Sequence, residues 1–402
     1  MTRGKFVLRT TLAAGAAGTL AMLVVAPAHA TNTNPGGGAL TLAVYGDAPY
    51  AVPGDSNPNR EFQATPAFID SVNADPDVDE VAHVGDIHSG KQVCSEAYDQ
   101  SVFDLWTRYQ DPLIYTPGDN EWTDCQKSAE GGGDPLDNLA LVRNIFFAQP
   151  GRTMGQQSMP VTSQAQVSDP ENPTDANYVE NVMWERRGIV FVTLNIPGGS
   201  NDDTDAWHGT MTTRQSDERT QRDGADLRWL DRAFATAQSD DARSVVVIEQ
   251  ADMWDPDGKF TNGTPNHIDQ YEPFIQSLAT HTQSFGKPVL LFDGDSHLYR
   301  SDNPLVDNAP CTVENGSAVQ PCQGASNLVT KDANNNVLGN YYDAYDSHPY
   351  YDQLALENFH RITVHGSTFP LEWLKLTIGS NGHLPTGATS FGPFSWQRMP
   401  QS

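Results

Sequence analysis

LFDGDSHLYR, residues 291–300, begins as a buried strand and stops abruptly. The apolar run Val289, Leu290, Leu291, Phe292 gives way at Gly294, and Asp295 and His297 follow two residues apart. A strand that ends on a carboxylate and an imidazole aims polar chemistry at one place. Similar endings recur: Tyr45-Gly46-Asp47, Val84-Gly85-Asp86, Pro117-Gly118-Asp119-Asn120 and Glu249-Gln250-Ala251-Asp252 each close an apolar or β-branched run. Glycine before aspartate lets the chain turn sharply as it leaves a sheet. In open α/β sheets, ligands gather beyond the carboxyl ends of the strands. Carboxylates crowded there repel one another, and a divalent cation removes that cost; carboxylate, amide and imidazole donors suit one. A single Gly-Asp is an ordinary turn, but the repetition at strand ends is a pattern.

Apolar runs at 39–47, 78–86, 112–122, 189–198, 243–252, 287–297, 359–366 and 373–378 read as strands buried on one or both faces. Helical spacing appears at 66–74, at 134–148 (Leu139, Val142, Ile145, Phe146) and at 226–237 (Leu227, Leu230, Phe234, Ala237). Early strand–helix alternation followed by a strand-rich end predicts α/β layers with sheet packed on sheet. The stretches 148–178, 255–272 and 301–349 read as long insertions, either walls of a site or surface decoration.

Residues 1–30 read as a secretory signal peptide: Arg3, Lys5 and Arg9, an apolar run to Pro27, then Ala28-His29-Ala30. A flexible N-terminus (31–38), a single domain (39–380) and a C-terminal tail (381–402) follow. No later segment approaches the roughly 20 apolar residues of a membrane span, so an extracellular protein is expected. The 402-residue chain has a formal net charge of −27, and losing three basic residues with the leader makes it −30. Such a surface repels nucleic acid and anionic membranes. It also repels phosphorylated molecules unless a metal centre reverses the field locally. Four cysteines in an exported chain read as two disulfides with three possible pairings, of which Cys311–Cys322 closes a short loop. The sequence has no phosphate-binding Gly-x-x-x-x-Gly-Lys, no dinucleotide Gly-x-Gly-x-x-Gly opening a helix, and no Gly-x-Ser-x-Gly elbow.

In order, Asp47, Gly85-Asp86, Pro117-Gly118-Asp119-Asn120-Glu121, Gln250-Ala251-Asp252 and Gly294-Asp295-Ser296-His297 resemble the calcineurin-like metallophosphoesterases. That superfamily's pattern runs Asp-x-His, Gly-Asp, Gly-Asn-His-Glu/Asp, His, Gly-His-x-His. The resemblance covers residues 40 to about 378, and DLRWLDRAFATAQ (226–238) leading into RSVVVIEQAD (243–252) is similar to the helix and strand before the fourth motif. It implies a four-layer αββα sandwich in a divergent, secreted, bacterial-type member. The implied activity is phosphoester hydrolysis by metal-bound hydroxide at a dinuclear centre, on a small-molecule or macromolecular substrate. Asp47 would be a first-metal ligand and Asp86 the bridge, with Asp119, Gln250, Asp295 and His297 as further ligands. The two divalent ions would be manganese, magnesium, calcium, iron or zinc. Asn120 falls where the family has a His that assists the leaving group; His88 either supplies a missing imidazole, contacts substrate or is a loop residue.

The sequence also departs from the family. Pro49 stands where the first motif has a metal-binding His, Gln250 and Asp295 replace two more, and Asn120 cannot act as an acid. Either the site is re-tuned toward oxygen donors, favouring magnesium, manganese or calcium over zinc, or it has decayed and serves a secreted binding protein with one ion or none. His83, inside a strand, reads as a core histidine. If the loops after Asp86 and Asp119 converge as the resemblance implies, Cys94 and Cys125 are neighbours and pair.

Overall fold

The computed structural model describes residues 38–401 apart from 52, 203–205, 256–266, 307–308, 324, 326–328, 332–336, 341–354 and 380–383. Residues 1–30, expected as a signal peptide, all but Gly38 of the segment 31–38 expected as a flexible N-terminus, and parts of the insertions 255–272 and 301–349 therefore lie outside the described residues.

The chain builds two mixed sheets. In the first the strands lie in the order Leu384–Gly387, Ser390–Gly392, Phe394–Pro400, Glu372–Ile378, Leu40–Tyr45, Glu80–His83, Leu113–Tyr115. The second runs Ala318–Pro321, Thr312–Asn315, Arg300–Asp302, Phe359–Thr363, Val289–Asp293, Ser244–Ile248, Ile189–Thr193, Val182–Arg186, Thr162–Ser163.

Alternation along the strands explains the layering. Leu42, Val44, Leu374, Leu376 and Phe394 of the first sheet meet Phe191, Val246, Leu290, Phe292 and Ile362 of the second in one buried layer. The intervening residues point the other way, as a period of two requires. Ala43, Tyr45 and Val81 pack beneath the helices Arg60–Asn73, Glu96–Trp106 and Pro135–Phe146. Val190, Val192, Val245, Val247 and Leu291 pack beneath Thr213–Ser239 and Glu272–Phe285. The result is the αββα sandwich that the sequence reading expects.

Local chemistry starts these helices. Asp134 caps Pro135–Phe146 by accepting from the backbone N–H groups of Leu136 and Asp137, with Pro135 in the first turn, where its missing N–H costs nothing. Ser95 and Thr212 cap Glu96–Trp106 and Thr213–Ser239 in the same way.

Two features differ from the sequence reading. Residues 384–400, set apart there as a tail, form three strands of the first sheet, and Phe394–Pro400 pairs antiparallel along the whole of Glu372–Ile378. Phe391, Phe394 and Trp396 anchor that segment in the inter-sheet core. The helix expected over 226–237 begins at Thr213, because its charged first half carries no apolar stripe to announce it.

Leu40–Tyr45, Glu80–His83 and Leu113–Tyr115 are parallel, in register at Tyr45, His83 and Tyr115. Ile189–Thr193, Ser244–Ile248, Val289–Asp293 and Phe359–Thr363 are parallel in the other sheet. The carboxyl ends of both sets supply the residues that meet in the site.

Candidate metal centre

Asp47, Asp86 and Asp119 leave the first sheet, and Gln250, Asp295 and His297 leave the second, each within a few residues of a strand end. Together they bring two groups of potential ligand atoms into being. Asp47, Asp86 and His297 form one, and Asp86, Asp119 and Asp295 form the other; within each, the atoms lie within 4.8 Å of one another. Asp86 belongs to both.

The backbone is bent to make this possible. Asp47, Asp86, Asp295 and His297 have φ of 49°, 61°, 63° and 61°, a left-handed conformation that L residues adopt at a cost. Glycine clears the space: a Cβ on Gly118 would collide with the Asp86 carboxylate, and one on Gly366 with Asp47. Asp47 and Asp86 thus combine left-handed backbone with room left by a glycine.

Hydrogen bonds fix the carboxylates. The Asn120 backbone N–H donates to Asp86 Oδ1 and its Nδ2 to Asp86 Oδ2, both at 3.2 Å, while Nδ2 also donates to the His88 carbonyl at 2.9 Å. The Asp295 N–H donates to Asp47 Oδ1 at 3.0 Å, tying the two sheets together. Gln250 donates from Nε2 to Asp119 Oδ1 at 2.9 Å and to Asp86 Oδ2 at 3.2 Å, and its Oε1 accepts from the Gly198 N–H. Gln250 therefore turns an N–H, not an oxygen, toward the carboxylates, whereas the sequence reading has it as a ligand. The backbone donor at Gly198 decides the orientation of the amide.

Behind the site, Glu121 Oε1 accepts from the Ile87 N–H and the Tyr115 hydroxyl, holding the turn after Asp86. His83 is fully buried, with Nε2 2.7 Å from the Ala48 carbonyl and Nδ1 accepting from the Gly85 N–H, as befits a core histidine. Under the loop of Asp295 and His297, Asp252 is buried between Arg300 and Arg361 and accepts from Ser296 Oγ at 2.8 Å.

Burial, and then the neighbouring carboxylates, push Asp47, Asp86 and Asp295 well above the usual carboxylate range. Asp119 and Glu121 are raised as well, again chiefly by burial. Asp47 Oδ2 is buried without a hydrogen-bond partner. Burial lowers His297 to about 4, leaving at neutral pH an uncharged ring with a lone pair for a cation. Its side chain is 40% exposed and marks the open side of the cluster. Buried acids that raise one another's pKa, beside a neutral imidazole, are a donor set that fits hard cations.

His88 stands apart from this set. Its ring is buried, with Nε2 2.6 Å from Asp99 Oδ1 on the helix Glu96–Trp106, and it joins the site through its main-chain carbonyl. The residue that sequence reasoning missed is Tyr50. Its side chain is 2% exposed, and its hydroxyl lies 3.1 Å from Asp86 Oδ2, 3.2 Å from His297 Nε2 and 3.5 Å from Asp47 Oδ1. Nothing in the spacing of Tyr50, directly after Pro49, separates it from a buried aromatic.

Disulfides join Cys94 to Cys125 and Cys311 to Cys322, the expected pairing. The Cys94 and Cys125 sulfurs lie 3.4 and 3.6 Å from the Asn120 carbonyl oxygen, so this bridge braces the rim beside Asp86. No helix among the described residues is long and apolar enough to cross a membrane.

No family model matches the sequence, and no curated protein matches it. Among solved structures the chain is similar to purple acid phosphatase PPD1 from yellow lupin (Lupinus luteus) seeds, with 12% identity and a TM-score of 0.44. The alignment covers 91% of this chain and 54% of that one, so the chain spans about half the length of the plant enzyme. The functional reading rests on the geometry.

Proposed function

We propose that the protein is an exported, metal-dependent phosphoester hydrolase. The observation that carries this reading is the sharing of Asp86 between two converging ligand groups. A carboxylate common to two cation positions is the arrangement a dinuclear centre needs. Asp47 and His297 would complete one position, and Asp119 and Asp295 the other. Two ions held by these residues would supply Lewis acidity and charge compensation for phosphoester displacement.

The chain's own residues have distinct tasks in this reading. Asn120 holds both oxygens of Asp86, so the shared carboxylate keeps one orientation. Gln250 bridges Asp86 and Asp119 from behind, fixing their separation. His297 and Asp295, the more exposed members, border the side from which a substrate enters. The acidic surface leaves the ions as the attraction for a phosphoester, which favours small substrates over polyanions. The two disulfides, and a leader as the sequence of residues 1–30 leads one to expect, support export.

The test is hydrolysis of p-nitrophenyl phosphate and bis(p-nitrophenyl) phosphate by metal-stripped protein with manganese, magnesium, calcium or zinc added in turn. Metal-stimulated turnover that is abolished in Asp86→Ala supports the reading. Equal activity in that variant rules it out.

A second reading, a metal-binding or ligand-binding protein without catalysis, draws support from Asn120 and Gln250. Their amide N–H groups partly satisfy the carboxylates without an ion, and neither amide is an acid. Chelation that lowers the melting temperature while no substrate is turned over would favour it.

A further inference from the structure

Phe369 stands exposed beside the carboxylate cluster, and the proposed function leaves it unused. Of the five large apolar side chains exposed among the described residues it alone is aromatic, and it is 49% exposed. It belongs to the loop between Phe359–Thr363 and Glu372–Ile378, which is bonded to two of the turns that build the cluster. The Gly366 N–H donates to the His297 carbonyl at 3.3 Å, and the Ser367 N–H donates to the Asp47 carbonyl at 2.8 Å. Ser367 is held there at φ 46°, in the left-handed region.

Reach puts this ring next to a substrate. Phe369 is two residues beyond Ser367, so their Cα atoms are at most about 7 Å apart, and Ser367 itself touches the Asp47 main chain. The other anchor of the loop, His297, is the residue whose side chain is 40% exposed on the open side of the cluster. The ring is also steadied. The Arg60 guanidinium lies over it, 5.2 Å from the centroid. Arg143, Arg228 and Arg361 each grip one carboxylate through two nitrogens. Arg60 does not: its Nε makes no hydrogen bond, and Asp55 stands 3.8 Å away. The neighbouring Glu61 accepts from the Tyr50 N–H at 2.8 Å, which ties the start of this helix to the turn after Asp47. Leaving a ring in water forgoes the energy of burying it. A guanidinium on one face holds the ring and leaves the rest of it open to a second ring.

Resting on the hydrolase reading above, we propose that Phe369, steadied by Arg60, is a specificity-determining residue that packs against an aromatic leaving group, so that the preferred substrates are phosphoesters whose alcohol carries a ring. The phosphoryl group lies at the cluster, and the ring of the leaving group lies on Phe369. Such packing selects by the flat shape and π face of the ring. It does not depend on how readily the leaving oxygen departs. Two esters with the same kind of leaving oxygen, one bearing an aromatic ring and the other a saturated ring of the same size, are therefore told apart.

The probes are benzyl phosphate and cyclohexylmethyl phosphate, with their methyl diesters, and the phosphonates of the same length, 2-phenylethylphosphonate and 2-cyclohexylethylphosphonate, which cannot be hydrolysed at that bond. Wild type, Phe369→Ala and Phe369→Leu are compared by kcat/KM on the esters and by calorimetry with the phosphonates, in each of the metals used above. Wild type is expected to favour the aromatic member of each pair about tenfold, with the difference in KM. Both variants should bring the ratio close to one, the leucine variant because it keeps apolar bulk and loses the ring. Arg60→Gln should lower the ratio without abolishing it. A ratio near one in wild type, or a ratio unchanged in Phe369→Ala, overturns the aromatic subsite and leaves the hydrolase reading standing. Selective binding of 2-phenylethylphosphonate that is lost in Phe369→Ala, with no ester turned over, keeps the ring subsite and overturns the hydrolase reading. Neither binding nor turnover overturns both.

Discussion

Asn120 grips both oxygens of Asp86, the main-chain N–H on one and the side-chain amide on the other, each at 3.2 Å. This residue stands where the resemblance would have a catalytic histidine, and its geometry makes it a holder of the shared carboxylate instead. Asn120→Ala keeps the main-chain bond and removes the side-chain one. Metal affinity measured by calorimetry should fall about 10- to 100-fold, as when a ligand loses its outer partner. Unchanged affinity would mean that Asp86 is positioned by other bonds.

The raised carboxylates set the sign of the pH dependence. Asp47, Asp86 and Asp295 keep protons in the metal-free folded state at a pH where the unfolded chain has released them. Stability therefore falls as pH rises from the ordinary carboxylate range. Glu61, raised to about 7 by burial, and Asp202, raised to about 8, act in the same direction away from the site. Without metal, the melting temperature should drop between about pH 4 and pH 8. Saturating manganese should restore more stability at the upper end, where the carboxylates must ionise, and that gain should vanish in Asp86→Asn. A gain independent of pH would contradict the ligand assignment.

Asp252 tests the support beneath the site. Burial raises its pKa, but Arg300 and Arg361 outweigh that and hold it below the usual range. Asp252→Ala would leave two buried guanidiniums without their shared carboxylate and release Ser296 from the loop between Asp295 and His297. The expected loss is about 3–5 kcal/mol in denaturant unfolding, with weaker metal binding in the protein that still folds. Arg361 also pairs with Asp302, which limits how far the network collapses.

The two disulfides should separate in their effects. Loop entropy gives roughly 4 kcal/mol for Cys94–Cys125 and roughly 3 kcal/mol for Cys311–Cys322, from sequence separations of 31 and 11. Only the first lies against the Asn120 carbonyl. Replacing Cys94 and Cys125 with serine should lower both the melting temperature and metal affinity. Replacing Cys311 and Cys322 should lower the melting temperature alone. Equal effects on metal binding would refute the bracing role.

The strand ends were legible because apolar runs that stop at Gly-Asp state both where a strand leaves its sheet and what it presents there. Asp47, Asp86, Asp119, Asp295 and His297 converge as that pattern predicts. The direction in which Gln250 points was not legible, because it depends on a backbone donor at Gly198, distant in sequence. His88 turns to Asp99 on the helix Glu96–Trp106, which the sequence reading did not pick out, so this partner was not in view. Tyr50 carries no local signal, since its role arises from contacts with residues on other loops of both sheets. The strands at 384–400 were hidden for a similar reason: their partner, Glu372–Ile378, explains them, and their own composition does not.

Metal stoichiometry tests the central claim most directly. Elemental analysis of the protein after equilibration with manganese, magnesium, calcium or zinc, with Asp86→Ala alongside, counts the ions that the shared carboxylate supports. Close to two ions per chain for at least one metal, lost in the variant, is the result predicted by two positions joined through Asp86. No bound ion in wild type, or the same count in Asp86→Ala, would contradict it.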